Sequence, residues 1–414
     1  MQLGFLGGAR EVGRSSLLVD TGKEKFILDC GIEVQHGKRP VNLPRNPDGV
    51  FITHAHLDHS GFSPAFYSMG YKGKTFATAA TFDMAHMLLE DSLKVQLKKR
   101  QDPGFSQQDI NRMGKKEGIL GFREPAEFGS STVELFSAGH IPGAAAVLVE
   151  SRKKSILYTG DISFTPTDFM FGADIDRRSP DVIVSEATYS YKDHPDRRKV
   201  KERLTSIINQ TCSNGGVTLL PAFAVGRTQE LLLMLKDINF PIYLDGMGIR
   251  ATTHTLSYPE TFLNQRKLSY AFEKCIKVKR GSARGEIVKE PCVIITTAGM
   301  LQGGPAGFYI SRIMERRECT LVFTGYQVEG TPGRHLLETG VYENEGVSAR
   351  PKFSMHFLDL SSHSGRSGLI DFYRRMNPQK IMLVHGDRTE EFAEELKGMG
   401  FDAHSPAVGE NITV

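Results

Sequence analysis

His54-Ala55-His56-Leu57-Asp58-His59 closes the apolar run Gly49-Val50-Phe51-Ile52-Thr53. The six residues carry three imidazoles and one carboxylate, the donor types that bind divalent metals. Alternate residues of an extended chain face the same way, so His54 and His56 reach one ion, while Asp58 and His59, past the bend, turn to a neighbour. Crowding four such groups without a cation leaves their desolvation uncompensated, and metal binding is therefore the reading from which the rest follows.

The 414 residues around this stretch, 40% hydrophobic and 9% aromatic, suffice for two or three packed domains. A net charge of +3 is well short of a purely electrostatic nucleic-acid coat. Cys30, Cys212, Cys275, Cys292 and Cys319 form no C-x-x-C pair and cannot close into a complete disulfide set, which fits a reducing cytosol. No basic leader with an apolar stretch opens the chain and no run approaches a membrane span, so the expected location is cytoplasmic, with no membrane partner.

Short apolar runs separated by turns, at 16–20, 25–29 and 50–53, predict a small sheet before the histidine stretch. Helical spacing of apolar residues predicts a helix over 82–100 with its cations in the last turn; His86 inside it reads as packing or surface. Strands are expected again at 132–136, 145–149, 155–159 and 181–185. They deliver His140, Asp161 and Glu186 to strand ends, where rigid scaffolds hold reactive groups. From about residue 190 a basic run leads into strands at 217–221, 241–245, 293–296 and 320–324 alternating with helical stretches, the rhythm of a parallel sheet. The final third returns to strand-end chemistry at Ser361-Ser362-His363-Ser364-Gly365-Arg366 and Val384-His385-Gly386-Asp387.

Gly8-Ala9-Arg10-Glu11-Val12-Gly13-Arg14-Ser15 imitates a phosphate-binding loop with arginine for lysine, but such a loop opens a helix, and Ser16 onward reads as a strand. The glycines are expected to form a tight turn under the metal site. Asp29, at a strand end, reads as an acceptor that orients a metal-bound imidazole. Asp161 suits a bridge between two cations, since its charge offsets part of their repulsion, and His140 and His385 complete the two shells. A donor set rich in imidazole and free of cysteine favours two zinc ions, with manganese as the alternative. Two ions about 3.5 to 4 Å apart would activate water and stabilise charge on a phosphoryl or an acyl oxygen alike.

H-A-H-L-D-H, His140, Asp161 and the late His385, with Asp29 ahead of them, resemble in order the ligand set of the metallo-β-lactamase superfamily. His385 follows Asp161 by 224 positions, a domain's worth of chain. Glu186 in S-E-A-T-Y, His363 in S-S-H-S-G and His385 in V-H-G-D are similar to motifs A, B and C of the β-CASP group, and P-A-F-A-V-G-R-T-Q-E-L and T-T-A-G-M-L-Q-G-G-P extend the likeness. The chain thus resembles the short archaeal and bacterial relatives of the cleavage and polyadenylation specificity factor nuclease, without G-x-x-G-bearing KH modules ahead of the core.

The resemblance implies an α/β protein: a metallo-β-lactamase αββα sandwich, residues 1–188 and 356–414, interrupted by a β-CASP α/β domain at 189–355 with a parallel sheet flanked by helices. It implies one zinc on His54, His56 and His140, another on Asp58, His59 and His385, and Asp161 between them. Asp58, Asp161, His363, Glu186 and Asp29 become the catalytic set, with His363 protonating the leaving oxygen or touching the scissile phosphate and Glu186 orienting it. Arg227, Ser362 and Arg366 are expected to contact substrate. The implied function is a zinc-dependent ribonuclease acting on single-stranded RNA in mRNA processing or decay, by endonuclease or 5′-to-3′ exonuclease attack, alone, as a homodimer or with other RNA-processing proteins. Its rivals are a thioester or lactam metallohydrolase, which Glu186, His363 and the insertion disfavour, and a non-catalytic RNA-binding subunit, which the full set of ligand positions disfavours.

Overall fold

Two-residue periodicity builds the first layer pair. In a computed structural model, which describes all residues but 153, 176–178 and 345, one seven-stranded sheet runs in the order Asn411–Thr413, Gln2–Gly7, Ser16–Asp20, Lys25–Leu28, Gly49–Phe51, Thr75–Ala77, Glu117–Ile119. A second runs Ala403–His404, Lys380–Val384, Val182–Glu186, Ser155–Tyr158, Ala145–Glu150, Ser131–Ser137, Ala126–Phe128. Alternate residues face each other across one core: Leu3 and Phe5, Leu17 and Val19, Phe26 and Leu28 from the first sheet meet Val147 and Val149, Val182 and Val184, Met382 and Val384 from the second. The opposite face of the first sheet packs on the helix Ala79–Lys98, where Ile52 and Ala77 bury Phe82. Helices Arg366–Met376 and Thr389–Gly398 belong with the second sheet, and Tyr373 Oη–H donates to Ser185 Oγ at 2.9 Å. The αββα sandwich is thus present.

Each sheet is parallel where it serves the site. Lys25–Leu28, Gly49–Phe51 and Thr75–Ala77 pair in parallel, as do Ser155–Tyr158, Val182–Glu186 and Lys380–Val384. Their carboxyl ends therefore open on one side, and Asp29, His54, Asp161, Glu186 and His385 stand at or just beyond those ends.

The second compact unit comprises Thr167–Met170 and His194–Ser361; the sandwich comprises Met1–Pro166, Phe171–Asp193 and Ser362–Val414. The chain changes unit slightly later than residues 188 and 355 because the two flanking loops hold each other within the sandwich. Tyr189 bridges Gly365, and Arg366 N–H donates to Lys192 O at 3.0 Å. The second unit has a six-stranded sheet, ordered Ile276–Lys277, Ile242–Asp245, Cys292–Thr296, Val217–Pro221, Thr320–Phe323, Ser354–Phe357, with every pairing parallel. Its central strands, Val217–Pro221, Cys292–Thr296 and Thr320–Phe323, are buried throughout and largely apolar on both faces. Leu220, Val293, Ile295 and Val322 pack under helices Arg197–Ser213, Arg227–Leu235 and Gln265–Lys274. Leu219, Ile294, Leu321 and Phe323 pack under Ala306–Ile313 and Pro332–Thr339.

Candidate metal centre

The apolar strand Gly49–Phe51 buries its residues and stops where Thr53 and the histidines begin; His56 then leads a single helical turn, Leu57–Ser60. That bend separates the donors. His54 Nε2 and His140 Nε2 each lie 3.2 Å from His56 Nδ1 and 3.5 and 3.6 Å from Asp161 Oδ2. On the other side of Asp161, His59 Nε2 is 3.2 Å and His385 Nδ1 3.4 Å from Oδ1, and His385 Nε2 is 3.3 Å from Asp58 Oδ2. Three groups of residues place one donor atom each within 4.8 Å of the others: His54, His56, His140 with Asp161; His54, Asp58 with His59; and His59, Asp161 with His385. Every residue expected to ligate metal is therefore drawn into one cluster, with Asp161 in two of those groups.

The donors suit divalent cations on chemical grounds. Asp161 Oδ1 is buried without a hydrogen-bond partner although two imidazole nitrogens crowd it, an arrangement that a positive charge between them would relieve. Burial, reinforced by the neighbouring His59, holds His54 well below the usual imidazole range; burial likewise lowers His56 and His140. Neutral imidazole is the form that donates a lone pair. Burial also opposes charge on Asp161 and Asp58, but the surrounding histidines outweigh it and keep both carboxyls well below their ordinary values. Against the effect of burial, Asp161 and Asp29 raise His59 well above its ordinary value, and Asp161 and Asp58 raise His385.

Around the donors stands a supporting ring. Asp29 Oδ2 accepts from His59 Nδ1 at 2.7 Å, from Thr53 Oγ1 at 2.8 Å and from Tyr158 Oη at 3.0 Å, while Oδ1 accepts the Thr53 amide at 2.7 Å. Its backbone has φ 63°, and that of His385 has φ 49°, conformations that a side chain adopts only when its surroundings impose them. For His385 those surroundings are Gly8 O, which accepts its amide at 2.6 Å, and Thr188 Oγ1, 3.0 Å from both its carbonyl and Nδ1. The stretch from Gly8 to Ser15 is thus a turn beneath the cluster, followed by the strand Ser16–Asp20. Gly31 is required by proximity: a Cβ there would lie 1.7 Å from Asp58 O.

His363 and Glu186 join the same cluster. His363 Nδ1 is 2.9 Å from both Glu186 oxygens, its Nε2 is 3.9 Å from Asp161 Oδ2, and the three residues form a fourth donor group. Glu186 is fixed by the Ile162 amide at 2.8 Å. Burial disfavours the His363 imidazolium, but the Glu186 and Asp161 carboxylates prevail and raise its pKa to about 9.

The residues expected to touch substrate fare differently. Ser362 offers its backbone carbonyl, 2.8 Å from His140 Nδ1, and so orients a ligand histidine. Arg366 is ion-paired to Glu395, tying the start of the helix Arg366–Met376 to the second half of the helix Thr389–Gly398. Arg227 lies in the second unit, buried and ion-paired with Glu230, which also meets Arg197 Nε at 3.3 Å. It is neither a solvated surface residue nor part of the metal cluster. His86 pairs with Glu117 at 2.6 Å and takes no place among the donors. Thr53, Tyr158 and Thr188 were absent from the sequence-based list because threonine and tyrosine are ordinary strand residues; their one signal is adjacency to His54, Asp161 and Glu186.

Two sandwiched mixed sheets with these donors at their strand ends, interrupted by a parallel α/β unit, define a metallo-β-lactamase fold with a β-CASP insertion. Family models agree: the Beta-Casp domain matches residues 228–336, the Zn-dependent metallo-hydrolase RNA specificity domain 348–406, and the anti-Pycsar protein Apyc1 residues 1–201. "Probable RNase MJ4" of Methanocaldococcus jannaschii is 34% identical over the whole of both chains. "RNase aCSPSF2" of Saccharolobus solfataricus is 34% identical over all of this chain and 85% of its own. "Transcription termination factor FttA" of M. jannaschii is 32% identical over 96% of this chain and 69% of its own. A solved protein of unknown function from Enterococcus faecalis shares the fold, with a TM-score of 0.63 at 14% identity over 100% of this chain and 99% of its own. The chain belongs to the metallo-β-lactamase/β-CASP ribonuclease family.

Proposed function

We propose that this protein is a metal-dependent ribonuclease that hydrolyses phosphodiester bonds in single-stranded RNA, in RNA processing or decay, with two zinc ions at the centre described above. The observation that carries the reading is the place of Asp161, common to two sets of imidazole donors and to the Glu186–His363 pair. Relatives named as ribonucleases along the full length of the chain support the substrate. The imidazole-rich, thiolate-free donor set supports zinc, with manganese next.

His54, His56 and His140 would hold one ion and Asp58, His59 and His385 the other, with Asp161 shared. Bound there, the ions supply an attacking water of lowered pKa and draw off charge that develops on the phosphoryl oxygens. The protein's part is positional. Asp29 fixes the His59 ring through Nδ1, and the Ser362 carbonyl fixes His140. Glu186 anchors His363 through Nδ1, which leaves Nε2, on the Asp161 side, as the nitrogen that presents a proton. As water adds to phosphorus, the bond to the 3′ oxygen breaks, and that oxygen departs with the electron pair and takes the proton. The products are a 5′-phosphate and a 3′-hydroxyl.

End-labelled single-stranded RNA incubated with the zinc-loaded protein tests this. Wild type is expected to release 5′-phosphorylated products, and the doubly substituted Asp58→Ala, His59→Ala protein to cleave at least about a thousandfold more slowly. Equal cleavage by the two proteins would overturn the assignment. Product mapping separates internal cuts from 5′-to-3′ trimming.

A further inference from the structure

A column of rings leads away from the metal cluster. The His385 and His363 rings are near-parallel, with centroids 6.2 Å apart. Tyr189 follows at 6.0 Å from His363, and Tyr191 at 6.1 Å from Tyr189 with planes only 25° apart. The T-Y-S-Y segment after Glu186 runs through successive turns, with the Lys192 amide donating to Tyr189 O at 3.3 Å, and these turns set the two tyrosine rings side by side. Burial then falls sharply: Tyr189 is 1% exposed and Tyr191 is 44% exposed. The Arg388 guanidinium lies 4.9 Å from the Tyr191 ring centre.

Both partners are fastened to the chemistry. Tyr191 sits in the loop that carries Glu186, whose bridge between Tyr189 and Gly365 ties it to the His363 loop. Arg388 ends the loop that begins at His385 and precedes the helix Thr389–Gly398. A tyrosine kept only for packing would bury its ring, as Tyr189 does; Tyr191 keeps much of its surface in water beside a cation.

We propose that Tyr191 and Arg388 form a base-stacking site that holds an RNA nucleotide next to the metal centre. The proposal rests on the ribonuclease reading and deepens it. A base on the Tyr191 ring covers apolar surface now open to water and suits any of the four bases, because each has a π face. Arginine serves either contact, stacked on the base or paired with the adjoining phosphate. The two ring steps from His363 amount to no more than about three or four nucleotides at about 3.4 Å rise. Tyrosine has few torsions to freeze, so this contact adds affinity at little entropic cost.

The test compares wild type, Tyr191→Ala, Tyr191→Phe and Arg388→Ala, all metal-loaded. KM and kcat are measured on single-stranded RNA, and affinity is measured by anisotropy in a His363→Ala background, in which cutting is slowed about 10²- to 10⁴-fold. Tyr191→Ala is expected to raise KM and Kd about tenfold, with kcat within about twofold. Tyr191→Phe should stay near wild type, and Arg388→Ala should fall between. Single abasic nucleotides are then moved along the substrate. One position should reproduce the Tyr191→Ala loss in wild type and cause no further loss in Tyr191→Ala, a dependence that a purely structural tyrosine would not show. Unchanged KM and Kd in Tyr191→Ala, or abasic losses that add to that variant at every position, would overturn the stacking site. If wild type binds RNA without cutting it, the ribonuclease reading falls while the anisotropy still decides the stacking site; if it binds none, both fall.

Discussion

Asp29 touches no candidate cation position directly, yet four groups converge on its carboxylate. Replacing it with alanine removes the acceptor that sets the His59 ring and leaves the Thr53 hydroxyl and Tyr158 phenol without their shared partner. Zinc affinity of Asp29→Ala, measured by competition with a chromophoric chelator, should fall by about 10- to 100-fold; an unchanged affinity would refute the orienting role. His363→Ala should behave oppositely. Its metal content should equal wild type, while kcat on RNA drops by about 10²- to 10⁴-fold. At this scale the sequence was highly legible, because chemically costly residues at fixed spacing have few alternative uses. The central place of Asp161 among the donors and the Asp29 acceptor followed from that logic. Ser362 did not, since its contribution is a backbone carbonyl that any residue would supply, and Arg227 did not, since an arginine in a glycine-containing loop gives no sign that Glu230 and Arg197 bury it with them.

Elements are joined by contacts that composition conceals. Glu24, in the turn before Lys25–Leu28, accepts from the Ser130 amide at 2.8 Å, from the Ser130 and Ser131 hydroxyls and from Thr21 Oγ1. The Ser130 amide, with the three hydroxyls, overcomes the opposing effect of burial and lowers its pKa to about 2. The folded value lies below that of the unfolded chain, near 4.5, so the stabilisation is complete above the unfolded value and is lost as pH falls towards the folded one. Glu24→Gln should cost about 1 to 3 kcal/mol at pH 7. The gap between variant and wild type in urea unfolding should shrink steadily as pH falls from about 5 towards 2.5; a gap independent of pH would refute the linkage. Strand positions were read from apolar runs to within a residue or two. The long helix begins at Ala79 rather than Phe82 because Thr78 Oγ1 accepts the Thr81 amide and caps it, a signal lost among the threonines that precede it. Within the basic run after residue 190, Arg197 turns inward to Glu230 and donates to Ser361 O, a contact that a run of like charges conceals.

For the whole molecule, His54, His59, His140, Asp161 and His385 are buried, and the desolvation of so many polar groups in one place is a cost that bound cations would offset. Chelation with a strong zinc ligand should therefore lower the thermal midpoint of the protein by several degrees, reversibly on adding zinc; an identical midpoint would mean that the cluster holds no metal in solution. Gly31→Ala should abolish metal retention outright, because the added methyl would overlap the Asp58 carbonyl. The division into sandwich and insertion was legible as a distance, the 224-position step from Asp161 to His385. Where the chain changes unit was less so, because backbone pairing between the 189–192 loop and Gly365 and Arg366 leaves no mark in composition. No helix among the described residues is long and apolar enough to cross a membrane.

The strands Val182–Glu186 and Lys380–Val384 are hydrogen-bonded neighbours, yet the main segment of the second unit, His194–Ser361, lies between them in the sequence. On a ribosome, which releases the chain from its N-terminus and lets units fold as they emerge, the donors up to Asp161 appear early and His385 late. Until that strand docks, the centre lacks both its last imidazole and the His363 loop that precedes it. The donors of the centre are thus brought together only with the last stretch of the chain to leave the ribosome.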